Sequence, residues 1–304
     1  MAQLHKYSGA GNDFVVLDGR TEDVSDFRAE QRIAELCDRR SGFVAADGRI
    51  GADGLMILTD DPDYDFRMEY YNSDGSGGMM CGNGGRCIVA FADALGIRPA
   101  DGSVFRFVAA DGPHTGEILA RDGDRKTVRI RMIDVHTFHP ALDGWFLDTG
   151  TRHFVRFVPD VEAVDVETEG RQARWDHLFA PIGANANFVS VDPDGTLRVR
   201  TFEKGVEAET LACGTGITAA AIAAALEYGG ISPEPPAAIN PFPTLLAQSP
   251  GAGRSADADF AALKPGGTIR YAIQARIARL AVDFRPEGDH FTDVYLTGPA
   301  DEIR

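Results

Sequence analysis

Lysine is scarce in this chain. Of 30 basic residues only Lys6, Lys126, Lys204 and Lys264 are lysines, against 46 Asp and Glu and a formal net charge of -16. A chain this acidic lacks the clustered Lys and Arg that a phosphate backbone or an anionic membrane surface requires, so neither nucleic acid nor a membrane is an expected partner. Long apolar runs are missing too: none approaches the roughly 18 residues of a membrane-spanning helix. The opening Met1-Ala2-Gln3-Leu4-His5-Lys6-Tyr7 has no basic-then-apolar leader, which makes a cytoplasmic location the expectation. Cysteines number four, at 37, 81, 87 and 213, too few in a chain of this length for a disulfide framework. The close pair Cys81 and Cys87 forms no Cys-x-x-Cys and has no neighbouring histidine, so no metal is expected. None of the four lysines sits in a Schiff-base setting, and no cofactor is expected.

What remains is an ordinary soluble composition, 44% hydrophobic and 25% charged over 304 residues, long enough for two domains. Alternating apolar residues predict strands at 66–71, 104–108, 128–133, 187–191, 197–202 and around 269–284. Helical periodicity predicts helices over 26–39, 85–95 and 216–227. Many strands with a few helices, in no regular βαβ series, make an α+β fold. The Pro, Gly, Ala and Ser-rich stretch at 232–267 reads as a surface insertion without chemistry.

One pattern occurs twice. Strand-like sequence leads into Cys81-Gly82-Asn83-Gly84 and an apolar helix, and again into Cys213-Gly214-Thr215-Gly216 and an Ala-rich helix. The echo predicts two similar domains, each a copy of one unit. A helix N-terminus carries unpaired N–H groups and about half a positive charge, which stabilises an anion such as a thiolate. The glycines let backbone amides approach a ligand carboxylate. Two such sites acting together would take a proton from one face of a carbon and deliver one to the other, which is racemisation or epimerisation. Cys37 and Cys87 lie within helices and read as buried structural thiols.

At these residues the chain resembles diaminopimelate epimerase. Gly9-Ala10-Gly11-Asn12-Asp13-Phe14, Gly51-Ala52-Asp53-Gly54, Asn72-Ser73-Asp74-Gly75-Ser76, Cys81 to Cys87, Glu209 to Gly216 and Leu296-Thr297-Gly298-Pro299-Ala300 match the family in order, nearly end to end. The resemblance implies two pseudo-repeat domains, each a mixed β-sheet wrapped around a central helix, at about 1–120 and 121–297, with the tail 298–304 returning to the first. It implies LL- and meso-diaminopimelate as substrates, in lysine and cell-wall synthesis. It makes Cys81 and Cys213 the acid/base pair and has the amides of Gly82, Asn83, Gly214 and Thr215 receive the reacting carboxylate. Asn12, Asn72 and Asn185 match substrate-holding asparagines. Glu203 matches an acid that works with a histidine, here His153, while Asp53 and Asp74 read as loop organisers.

The chain also departs from the family pattern. Lys204 stands where an arginine usually grips the distal carboxylate, and a lysine supplies charge without a bidentate fork. The segment Gly205 to Thr210 is one residue longer than usual, and Gly150-Thr151-Arg152-His153 replaces Gly-Asn-Pro-His. A two-cysteine racemase for another amino acid is therefore the alternative, although Cys81-Gly82-Asn83 differs from the Cys-Gly-His of proline racemases. From a different class, a non-catalytic binding module with the same fold would be free to lose either cysteine. Oligomeric state stays open, with a homodimer compatible with base rates.

Overall fold

The computed structural model describes residues 2–78, 81–229, 263 and 266–303. The stretch expected as an insertion at 232–267 lies outside the described residues except at 263, 266 and 267. Contacts divide the chain into two compact units, Met1–Arg131 with Thr297–Arg304, and Met132–Leu296.

The first unit runs β1 (His5–Gly9), β2 (Asn12–Asp18), α1 (Glu30–Cys37), β3 (Gly54–Thr59), β4 (Phe66–Asn72), α2 (Gly82–Ala94), β5 (Val104–Ala109), β6 (Gly112–Asp122) and β7 (Arg125–Arg131). The second runs β8 (Thr137–Ala141), β9 (Gly144–Asp148), β10 (Arg152–Phe157), α3 (Val166–Arg174), β11 (Asn185–Val191), β12 (Leu197–Glu203), β13 (Ala208–Thr210), α4 (Gly214–Tyr228), β14 (Ile269–Gln274) and β15 (Arg279–Glu287). A last strand, β16 (His290–Glu302), begins in the second unit and ends in the first.

Pairing shows the repeat. In the first unit β1–β2 are antiparallel, β2–β3 parallel, β3–β4 antiparallel, and β4–β5 parallel after α2. In the second, β9–β10, β10–β11, β11–β12 and β12–β14 follow the same order of orientations, with α4 before the final parallel pair. The result is the α+β fold of two similar mixed sheets, each wrapped around a helix. The first sheet closes on itself, because the end of β16 pairs with β7 at Gly298↔Val128 and with β1 at Tyr7↔Glu302.

The central helices explain the wrapping. Every residue of α4 from Gly216 to Glu227 is buried, and α2 is buried from Gly82 to Ala92. A helix buried on all sides has no solvent face and must be enclosed. α2 packs against β1, β2, β3, β6 and β7, and α4 against β9, β10, β11, β12, β14 and β15. A second helix covers the outside of each sheet. α1 packs Ile33 and Leu36 with Val15, Leu17 and Ile57, and α3 packs Val166 with Phe188 and Phe202. Covered on both faces, β2 and β3 carry unbroken apolar runs in place of alternation. Among the described residues no helix is long and apolar enough to cross a membrane.

Three expectations need correction. The helix expected over 26–39 is broken at Ala29, whose extended backbone (φ -75°, ψ 126°) separates a 3-10 turn at Ser25–Arg28 from α1. The helices expected at 85 and 216 begin earlier, at Gly82 and Gly214, immediately after their cysteines. The contact boundary between the units falls after Arg131, not 120, because β6 runs on into a hairpin with β7, where Glu117 faces Arg129.

Close backbone packing gives one test of this architecture. A Cβ on Gly144, in β9, would stand 2.1 Å from the carbonyl oxygen of Val155 in β10. Gly144→Ala is expected to lower unfolding free energy by about 1–3 kcal/mol, read from urea denaturation with an unchanged m-value. An unaltered midpoint would contradict the packing.

Candidate active site

The predicted site residues fall into two clusters, one in each unit. In the first, Cys81 is the N-cap of α2, with an extended backbone (φ -101°, ψ 150°), and its Sγ accepts the backbone N–H of Gly84 at 3.2 Å. A Cβ at Gly84 would come within 3.3 Å of that sulfur, so glycine leaves the cap room. Gly82 and Asn83 supply amides of the first turn, where no helical carbonyl precedes them.

A single hydrogen-bonded line ties this turn to the β1–β2 corner. Arg86 Nη2 donates to Asn83 Oδ1 (2.7 Å), Asn83 Nδ2 donates to Asn12 Oδ1 (2.6 Å), and Asn12 Nδ2 donates to Asp53 Oδ2 (3.0 Å). Asp53 also accepts from the backbone of Asp13 and pairs with Arg39, which reaches Asp13 as well. Lys6 completes the group, bonded to Asp13 at 2.8 Å. Arg39 and Lys6 hold the Asp13 carboxyl below the usual carboxylate range against the opposing effect of burial. Asn72 is not part of this line. It closes its own loop, its Nδ2 donating to Ser76 Oγ at 3.0 Å, while Asp74 accepts from Ser76.

In the second unit Cys213 is the N-cap of α4 and is 9% exposed. No amide of the first turn of α4 caps its sulfur, and Thr215 Oγ1 lies 3.4 Å from it. Behind Thr215 lies His153, fully buried, with Nε2 at 3.0 Å from Thr215 Oγ1 and 2.8 Å from Thr151 Oγ1. The tautomer follows from Asn187. Its Nδ2 donates to the Phe154 carbonyl at 2.9 Å and its Oδ1 accepts from Thr201 at 2.9 Å, so the group facing His153 Nδ1 at 3.1 Å is an amide donor. His153 Nδ1 is then an acceptor, and the neutral ring carries its proton on Nε2, directed at the threonine hydroxyls. Burial pushes His153 down to about 3, helped by the nearby Lys204 charge. Gly216 is where this arrangement forbids a side chain, since a Cβ would lie 2.4 Å from Asn187 Oδ1.

Asn185 is buried and engaged, donating to Arg152 O at 2.9 Å and accepting from the Lys204 backbone N–H at 2.7 Å. It thereby fixes the chain at Lys204, which forms no ion pair among the described residues. Glu203, expected to work with His153, makes no hydrogen bond to it, because the ring nitrogens are taken by Thr151, Thr215 and Asn187. Burial raises the Glu203 carboxyl above its usual range, with the Thr210 side chain opposing. Among the described residues no group of three His, Cys, Asp or Glu side chains could hold a metal.

Sequence reasoning missed Arg86, Arg39, Asn187 and Thr201 as members of these clusters. Asn187 had a usable signal: two residues from Asn185 on β11, it occupies the same face of the strand.

By fold, the chain belongs with two-unit α+β proteins such as a phenazine biosynthesis protein of the PhzF family from Bacillus anthracis. That structure matches with a TM-score of 0.67 at 12% identity, covering 99% of this chain and 96% of that one. Sequence narrows the class. The family model "Diaminopimelate epimerase" matches residues 4–127 and 145–235. A diaminopimelate epimerase of Flavobacterium psychrophilum is 35% identical over 301 residues, 99% of this chain and 98% of that protein. One from Chlorobaculum tepidum is 43% identical over 220 residues, 71% of this chain and 80% of that protein. The chain belongs to the diaminopimelate epimerase family and is an isomerase, an epimerase.

The buried imidazole makes a pH prediction. In the unfolded chain His153 takes up a proton near its ordinary value of 6.5, whereas in the fold it does so only near 3. Its contribution to stability is therefore complete above 6.5 and shrinks as pH falls between these values. An NMR titration should find the His153 ring neutral from pH 8 down to about 5; a midpoint within that window would refute the assignment.

Proposed function

We propose that this chain is a cofactor-independent diaminopimelate epimerase that interconverts LL- and meso-2,6-diaminopimelate by two-base proton transfer at the α-carbon, with Cys81 and Cys213 as the pair. The observation that carries the reading is that a cysteine caps the central helix in each of two units of like topology. One sulfur, as thiolate, takes the α-proton; the other, as thiol, supplies a proton to the opposite face, and the thiol and thiolate exchange places in the process. First-turn amides at Gly82, Asn83, Gly214 and Thr215 receive the α-carboxylate, where helix N-termini favour negative charge.

The side chains take supporting parts. Asn12 and Asn72 bind the polar ends of the substrate, and Asn83 aligns Asn12 through their 2.6 Å bond. Asn185 acts through the backbone at Lys204, whose ammonium meets the distal carboxylate. His153 stays neutral and orients the Thr215 hydroxyl beside Cys213, and the half-buried Glu203 adds a carboxyl of raised pKa to the same unit. The reaction serves lysine and peptidoglycan synthesis in the cytoplasm. A related racemase acting on a different amino acid is the second reading, and Lys204 separates the two: a substrate without a second carboxylate has no use for it.

The decisive experiment follows α-proton exchange from LL-diaminopimelate in D2O by NMR, with isomer ratios by chiral chromatography. Wild type should invert and exchange, while Cys81→Ala and Cys213→Ala each lose epimerisation. Exchange with another amino acid and none with diaminopimelate would keep the thiol pair and replace the substrate; exchange with no amino acid would leave a binding module. Lys204→Ala should raise KM for diaminopimelate about 10- to 100-fold, the loss expected for a hydrogen bond to a charged group. An unchanged KM would remove Lys204 from the distal site.

A further inference from the structure

Three Lys or Arg side chains are buried among the described residues, and one of them differs from the others. Lys6 is 1% exposed and pairs with Asp13, and Arg174 is 5% exposed and pairs with Glu207. Arg86 is fully buried and has no carboxylate. Its guanidinium donates to three neutral oxygens: Gly82 O at 3.2 Å, Asn83 Oδ1 at 2.7 Å and Pro299 O at 3.3 Å. The carboxylate of Asp53 is reached only through the amides of Asn83 and Asn12. A buried charge without a counter-charge is strongly disfavoured, so such a site calls for an anion close by.

The candidates can be narrowed. The side chain turns back toward the helix start, as its bond to Gly82 O requires, and so faces the turn capped by Cys81. Two thiols belong to this end of the helix, Cys87, which follows Arg86 in α2, and Cys81, which caps the turn that Arg86 bonds at Gly82 O. Cys87 is fully enclosed, and burial drives its thiol far above the ordinary range, so it stays neutral. Cys81 is half-buried, and its sulfur accepts the Gly84 amide. The other charged groups near this turn already have partners: Lys6 on β1 and Asp13 on β2 pair with each other, Arg39 binds Asp13 and Asp53, and Asp301 on β16 faces Arg125. The groups that β3 and β4 bring to Gly84 are Met56 and Met68, and Arg121, Lys126 and Asp93 cluster together at the far end of α2.

We propose that Arg86 is a positioning residue whose buried, carboxylate-free guanidinium supplies the counter-charge that keeps Cys81 as a thiolate in the resting protein. This deepens the proposed function by assigning the resting base, and it rests on that reading only for its catalytic meaning. In that scheme a catalytic cycle beginning at Cys81 starts with proton abstraction and needs no prior deprotonation step.

The test reads the sulfur directly. Wild type, Arg86→Met and Arg86→Lys are alkylated with iodoacetamide from about pH 6 to about pH 10, and modification of Cys81 and Cys213 is quantified separately by peptide mass spectrometry. In wild type, Cys81 should react with a midpoint clearly below the ~8.5 of a free thiol. Arg86→Met should raise that midpoint by about one unit or more, the effect of losing an opposite charge at close range, and leave Cys213 unmoved. Arg86→Lys, which keeps the charge and loses the fork to Asn83, should restore most of the shift. A wild-type midpoint at or above that of a free thiol overturns the proposal, even if Arg86→Met does not fold. So does an unmoved midpoint in Arg86→Met, or Arg86→Lys behaving like Arg86→Met, which would assign the effect to amide alignment instead of charge. Failure to epimerise diaminopimelate would instead refute the proposed function, and the alkylation readout would stand.

Discussion

Two helices buried on every side are the constraint on which the rest depends. α4 is buried without interruption from Gly216 to Glu227, and α2 from Gly82 to Ala92, so each needs a sheet on every side. Enclosure satisfies the apolar side chains and leaves the helix ends as the places where backbone polarity is unspent. The start of each helix is therefore a buried place of positive backbone potential. A cysteine stands at both starts. The repeated pairing of strands, the outer helices α1 and α3 and the glycines beside each cap follow from the same need to surround a buried helix and keep one end open.

The two caps are nevertheless built from different chemistry. At Cys81 a backbone N–H meets the sulfur at 3.2 Å, and a guanidinium whose only oxygens are neutral bonds the same helical turn. Around Cys213 the support is made of hydroxyls, with Thr215 at 3.4 Å and a neutral imidazole behind it. Like folds thus hold like residues in unlike electrostatic settings. Sequence symmetry conceals this, because Cys-Gly-x-Gly is the same in both copies while the differences arise from Arg86, His153 and Asn187.

Much of this was legible in the chain. The repeated Cys-Gly-x-Gly placed both helix starts to within a few residues, and β4, β5, β11 and β12 followed from alternation. β2 and β3 were missed because strands covered on both faces do not alternate, and a short apolar run such as Gly54 to Thr59 is equally a helix or a strand by pattern. The break at Ala29 was invisible because its cause is a backbone angle at a residue that favours helices. Within the clusters, residue types were visible and connections were not. Asn83 and Asn185 read as ligands for a substrate, yet their side chains are engaged with Asn12 and Arg86, and with Arg152 and Lys204. Hydrogen-bond partners far apart in sequence, such as Thr201 and Asn187 or Arg39 and Asp53, are set by strand register and loop closure, which no local pattern encodes.

The ring of strands in the first unit is completed by residues of β16 that follow the whole second unit in the chain. During synthesis, then, the first unit emerges with β1 and β7 as unpaired edges, and both stay open until all of the second unit has been made. An edge of that kind invites pairing with other chains. The sealing strand is at once the last piece of the first unit and a direct continuation of the second, so completion of one unit waits on translation of the other, and the time spent with exposed edges is set by the length of the intervening chain.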